Sequence, residues 1–155
     1  MGHMQLSPNF SLTQLSYSET AEQSGIDNTP PPEIVPNLKR LAEGLEAVRA
    51  LLGAPLEISS GYRCTALNEA VGGASASQHV QGLAADFACP GFGTPLEVAH
   101  AIQRSALEFD QCILEYGRWV HLSFSDAPRG RVLTIYDQER GYVAGLWDEE
   151  GRQIA

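Results

Sequence analysis

The reactive side chains of this 155-residue chain are few, and their spacing is informative. Of its four histidines, His3 lies in Met1-Gly2-His3-Met4, which reads as the remnant of an expression tag. His100 falls in a helical stretch between Ala99 and Ala101. His79 and His121 have more unusual surroundings. His79 is followed by Gly82, which permits a sharp turn, and then by Asp86 among the small residues Ala84, Ala85 and Ala88. On one helix, seven residues at ~1.5 Å each would hold His79 and Asp86 about 10 Å apart, too far for one ion at ~2 Å from each ligand. A turn leading into a strand that carries Asp86 is the geometry that joins them. His121 lies in Trp119-Val120-His121-Leu122-Ser123-Phe124. There Val120, Leu122 and Phe124 face one way, and Trp119, His121 and Ser123 face the other. Two imidazoles and a carboxylate make a three-ligand site with an open position, the arrangement of a catalytic zinc. The same residues also fit a turn histidine and an ordinary strand histidine with no metal between them.

The elements that must position these groups follow from periodicity. Over residues 33–52, Ile34, Leu38, Leu41, Leu45, Val48 and Leu52 recur at alternating steps of four and three, predicting a helix with one buried stripe. Gly53 ends it. Residues 9–13 open a short helix capped by Ser11 or Asn9, and residues 65–70 form another. Thr94-Pro95-Leu96-Glu97 is a capping box with proline at the first helical position, predicting a helix to about Leu107. Residues 56–59 alternate as a short strand. Residues 111–116, 119–124, 131–136 and 142–147 are β-branched or aromatic runs separated by Gly, Pro and Asp. The expected fold is α+β, with helices packed on one face of an antiparallel sheet. Residues 5–155 are expected to form a single domain.

Composition narrows the function. Apolar residues make up 43% and charged residues 19%, an ordinary globular mix. A net charge of −9 with histidine neutral argues against nucleic acid as a partner. No run approaches the ~18 apolar residues of an integral membrane segment. Cys64, Cys89 and Cys112 are widely spaced and read as free thiols. No secretory apolar region follows Met4, so the expectation is a chain made in the cytoplasm without an export signal, and a monomer.

The motif Ser77-x-His79-x-x-Gly82-x-Ala84-x-Asp86 fills every fixed position of the SxHxxGxAxD signature of zinc D-Ala-D-Ala peptidases. The sequence resembles that family of peptidoglycan peptidases, and most closely the branch common in phages and prophages. The likeness extends through Phe10-Ser11-Leu12, Ile26-Asp27-Asn28, Ser60-Gly61-Tyr62-Arg63, Asn68, Val71-Gly72-Gly73-Ala74, Phe109-Asp110-Gln111, Glu115 and Trp119 to Ser123. It implies a DD-peptidase-like fold with His79, Asp86 and His121 as ligands of Zn2+, and a metal-bound water as nucleophile. It implies Arg63 as the arginine that steadies a peptide carboxylate and Ser77 as a serine near the substrate. Without it, Arg63 reads as a surface salt bridge and Ser77 as a turn residue bonding its own backbone. The implied substrate is a peptidoglycan stem peptide, cut by a carboxypeptidase or endopeptidase acting on the cell wall.

Glu115 is the carboxylate placed to act as base. Family members with an acid-x-x-His pattern carry the acid three positions before the last ligand, where this chain has Arg118. Glu115 lies six positions before His121, a wider spacing that the phage-like branch shares. If Tyr116-Gly117-Arg118 is a three-residue loop, Glu115 pairs with Trp119 and shares a face with His121. A two-residue loop would put them on opposite faces. The longer loop is expected. Two other classes use similar residues: non-haem iron oxygenases, which share the ligand set, and a non-catalytic zinc-containing module that binds the wall or serves as structure.

Overall fold

The apolar stripe of the long helix and the inward rows of the strands meet in one main core. The computed structural model describes residues 4–155, so most of the expected tag remnant lies outside the described residues. A small hairpin of β1 (Gln5–Ser7) and β2 (Phe10–Ser11) leads into α1 (Leu12–Ser16), where the Ser11 side chain accepts from the Gln14 N–H as N-cap. A short α2 (Glu19–Ser24) follows. A 3-10 turn at Pro32–Ile34 then precedes α3 (Val35–Leu52), so the expected helix begins with a tighter turn at its prolines. Leu38, Leu41, Leu45 and Val48 are fully buried along α3, and Gly53 closes it in the left-handed conformation. Next come β3 (Glu57–Ser60), α4 (Thr65–Ala70) and β4 (Ala84–Ala88). The capping box of Thr94 and Glu97 is formed at the start of α5 (Pro95–Arg104). That helix ends before Leu107, where the Ser105 N–H and hydroxyl both turn back to the Ile102 carbonyl. The chain finishes with β5 (Gln111–Glu115), β6 (Trp119–Ser123), β7 (Arg131–Ile135) and β8 (Tyr142–Ala144).

The six-stranded sheet has the order β3-β4-β6-β5-β7-β8. The fold is α+β, as the sequence predicts, but one pairing differs from a purely antiparallel sheet: β5 and β7 run parallel. The reason is positional. β4 and β5 already occupy both sides of β6, so residues 124–130 must carry the chain past the start of β5. There Arg131 enters opposite Gln111, in the same direction as β5. Ala85, Phe87, Cys112, Leu114, Val120 and Leu122 face the helices in the main core. The other face carries the polar row and a separate small cluster of Ile113, Leu133 and Ile135. Among the described residues, no helix is long and apolar enough to cross a membrane. Cys64, Cys89 and Cys112 are free thiols, as expected. Burial pushes Cys112 up to about 12, which makes it inert as a nucleophile.

Candidate metal centre

The face of the sheet turned away from the helices brings the dispersed ligand candidates together. Asp86 on β4 stands directly opposite His121 on β6. His79 reaches them from the turn before β4, where the Gly82 N–H bonds the His79 carbonyl at 3.2 Å. Gly82 has φ of +74°, and a Cβ there would press to 2.8 Å from Ile34 Cγ2, so both backbone and space call for glycine. The His79 Nε2 lies 3.2 Å from Asp86 Oδ1, and His121 Nδ1 lies 3.0 Å from the same oxygen. One ligand atom from each of the three residues falls within 4.8 Å of the others. All three side chains are buried.

The donor chemistry fits a cation. His79 Nδ1 is 2.7 Å from the Gly61 carbonyl, which can only accept, so Nδ1 carries the hydrogen and Nε2 turns a lone pair toward the site. Burial holds the His79 pKa below its ordinary value, although Asp86 works the other way, so protonation of that lone pair is disfavoured. Burial also opposes ionisation of Asp86, but His121, 3.0 Å from its Oδ1, leads the effects that lower its pKa, and the carboxyl stays well below the usual range. A bare imidazole lone pair facing a carboxylate repels it unless positive charge sits between them. Ligands ~2.0–2.1 Å from a tetrahedral zinc stand about 3.3 Å apart, close to the two separations found here. The Gly61 carbonyl is the outer partner that orients a ligating histidine. Gly61 in turn cannot carry a Cβ, which would collide with the Leu15 carbonyl.

Three further residues rim this centre. Arg63 is held by Nε to Ser60 Oγ at 3.2 Å and by Nη1 to Asn68 Oδ1 at 3.1 Å, with Nη2 3.5 Å from Asp86 Oδ2. Its guanidinium is therefore an inward group beside the carboxylate, not a surface salt bridge. Ser77 accepts from the His79 N–H at 3.2 Å, the local turn bond open to any serine at such a position. Glu115 lies opposite Trp119 across the three-residue loop, so its side chain shares the face of His121. The turn forms through the Arg118 N–H to the Glu115 carbonyl, with φ of 57° at Tyr116 and 66° at Gly117. Trp119 Nε1 donates to Glu115 Oε1 at 2.9 Å. Burial, and then the charge of Asp86, raise the Glu115 pKa.

The contacts of two residues within the shared motifs escaped the sequence reading. Buried Asn28 donates to the Ser16 and Tyr62 carbonyls and accepts from the Cys64 N–H, which locks the segment bearing Gly61 and Arg63. Asp110, which enters the sequence reading only within Phe109-Asp110-Gln111, is a buried clamp. It takes Arg129 Nε at 2.9 Å and Nη2 at 2.7 Å, and Gln78 Nε2 at 3.0 Å beside His79. The signal for both was polar residues within otherwise apolar or turn-forming segments, which does not specify a partner. A cavity of about 590 Å³ between the start of α5 and residues 147–150 opens on the helix side of the sheet, and none of the six site residues lines it.

A buried His-Asp-His set of this spacing could hold a metal ion, with the carboxylate of Glu115 on the same sheet face. The chain belongs to the peptidase M15 family, whose model matches residues 8–123, more than half its length. This is the zinc D-Ala-D-Ala carboxypeptidase family. All six site residues fall inside the match, and β7 and β8 lie beyond it. No curated protein matches the chain at a significant level.

Proposed function

We propose that the protein is a zinc peptidase that hydrolyses an amide bond in peptidoglycan stem peptides, as a carboxypeptidase or an endopeptidase, and that residues 5–155 are one catalytic domain. His79, Asp86 and His121 hold the ion in this reading. Zinc, when bound, supplies a Lewis acid that polarises the scissile carbonyl and acidifies a water molecule. Glu115 takes a proton from the attacking water and delivers it to the leaving amine nitrogen. Its raised pKa matches that double role, since a carboxyl nearer neutrality both accepts and returns a proton. Trp119 occupies Oε1 and so leaves Oε2 for the proton. Arg63 spends one N–H on each of Ser60, Asn68 and Asp86, which leaves a further hydrogen on each terminal nitrogen for a substrate carboxylate. Ser77 offers its hydroxyl at the edge of the His79 turn.

The single observation that carries the reading is the convergence of three buried ligand atoms on the sheet face that also carries the half-buried carboxylate of Glu115. The wall as site of action is supported by membership of the peptidase M15 family, and release during phage lysis is the setting proposed with it. Digestion of purified peptidoglycan followed by mass spectrometry of the fragments tests the reading. Zinc-dependent release of D-alanine or of cut stem peptides is the expected result. A wall left intact by the zinc-loaded protein, and an Glu115→Ala variant indistinguishable from it, would instead identify a binding module.

A further inference from the structure

The turn that carries His79 is fastened to the β5–β6 pair at both ends. Within the turn, the Gln78 carbonyl accepts from the Gln81 and Leu83 N–H groups, both at 3.1 Å. At the far end, the Phe124 N–H bonds the Leu83 carbonyl at 2.9 Å, just past β6. At the near end the tie is a side chain: Gln78 Nε2 donates to Asp110 Oδ2 at 3.0 Å. Asp110 stands just before β5, and its N–H bonds the carbonyl of Ser123, two residues beyond His121 on β6, at 2.8 Å. The Gln78–Asp110 bond therefore runs from the residue before one ligand candidate to the strand pair that bears another.

Asp110 is fixed before Gln78 reaches it. The residue is 2% exposed, and both of its carboxylate oxygens are occupied. Oδ1 takes the Arg129 N–H at 3.0 Å and Nε at 2.9 Å, while Oδ2 takes Arg129 Nη2 at 2.7 Å as well as Gln78. The two-pronged guanidinium sets the plane of the carboxylate, and an ionised carboxylate only accepts, so Gln78 turns its amide nitrogen to it. Holding residues 124–130 in place does not call for Gln78. The Gly130 and Arg131 N–H groups already bond the Phe109 and Asp110 carbonyls at 2.9 Å, and Arg129 adds its own three bonds. What Gln78 adds is a link to the His79 turn. The other bonds to His79 from outside its turn come from the Gly61 carbonyl and the Arg63 N–H, both just after β3 on the far side of β4.

We propose that Gln78 and Asp110 are positioning residues for the metal centre: Arg129 fixes the Asp110 carboxylate, the carboxylate fixes Gln78, and Gln78 sets the turn that aims His79 Nε2 at the point shared with Asp86 and His121. The proposal rests on the zinc reading above and adds to it two residues that act through His79, clamped by an arginine beyond the family match. A metal ligand has to stand within about 0.2 Å of its proper distance. A turn held from the β3 side alone at its near end has more freedom than that, and the Gln78–Asp110 bond removes it by holding the turn from the β5–β6 side.

The test reads the metal directly and needs no turnover. Competition with a chromophoric chelator gives the zinc affinity, and the visible absorption of the Co2+-loaded protein reports the geometry of the centre. Gln78→Met keeps the side-chain length and removes the donor. It is expected to bind zinc about tenfold more weakly, the low end of the loss for outer partners of a metal ligand, with an altered cobalt spectrum and a metal-free Tm at the wild-type value. Asp110→Leu removes the acceptor and should cost the same factor, and adding Gln78→Met to it should cost nothing further. Asp110→Asn separates position from stability. Its amide can donate to a flipped Gln78 while the ion pair with Arg129 is lost, so Tm falls and zinc affinity is expected to stay within about threefold of wild type. Should Asp110→Leu not fold, Gln78→Met and Asp110→Asn carry the comparison. Wild-type zinc affinity in Gln78→Met, or a loss in Asp110→Asn as large as in Gln78→Met, overturns the inference and leaves the peptidase reading intact. A wild-type protein that binds no zinc overturns both.

Discussion

Trp119 and Glu115 face each other across a hairpin, and the indole N–H holds one carboxylate oxygen at 2.9 Å. The bond fixes the orientation of a side chain that would otherwise rotate freely at the end of β5. Trp119→Phe removes the donor and keeps most of the ring. Its kcat on wall peptides is expected to fall about tenfold, the effect of misplacing a proton-transfer group. KM and zinc content should stay unchanged in steady-state assays and metal analysis. A kcat within twofold of wild type would show that the indole does not orient the carboxylate.

Removing the carboxylate itself should cost more. Glu115→Ala is expected to lower kcat by roughly 10²–10⁴ while zinc remains bound at one equivalent, because general acid–base catalysis supplies about that factor. Atomic absorption on the purified variant separates this loss from a loss of metal.

Metal removal should destabilise as well as inactivate. The three candidate ligand groups crowd charge and lone pairs within 4.8 Å of one another, and a bound cation would relieve that crowding. Dialysis against a chelator is therefore expected to lower Tm, and zinc at 100 times its Kd should restore about 2.7 kcal/mol by mass action. Asp86→Asn should bind zinc more weakly, with its thermal shift on zinc addition lost. Calorimetric scans with and without zinc check both.

Asp110 gives a pH signature. Arg129 holds its carboxyl down to about 2 from an ordinary 3.8, so the ionised form is favoured in the folded state. A depressed carboxylate stabilises fully above its unfolded pKa, and the contribution fades as pH falls toward the folded value. Asp110→Asn is expected to lose about 1–2 kcal/mol near pH 7, discounted because Arg129 is half exposed. The gap to wild type should narrow as pH drops from about 4 toward about 2 in urea titrations. A gap constant over that range would mean that the ion pair contributes nothing.

Local period made part of this molecule readable in advance. The stripe from Leu38 to Leu52, the Thr94–Glu97 box and the alternation around His121 each depend on neighbours in sequence, and each appears in the structure. The turn at Gly82 and the three-residue hairpin loop were readable for the same reason. Pairings between distant segments were not. That β4 sits between β3 and β6, or that β7 joins β5 in parallel, depends on which strand edges are free once the others have docked, and no single segment encodes it. The buried contacts of Asn28 and Asp110 escaped for the same cause. Each is an unremarkable polar residue in sequence, and its partners, Tyr62 and Cys64 for one and Gln78 and Arg129 for the other, lie far along the chain.

The parallel joining of β7 to β5 separates two duties in the molecule. The candidate ligand atoms are borne by β4, β6 and the turn before β4, while β7 and β8 are added on the other edge of β5. Substitutions in β7 and β8 are therefore expected to leave the backbone that carries His79, Asp86 and His121 in place, so diversification among descendants of this chain is expected to accumulate at its C-terminal margin.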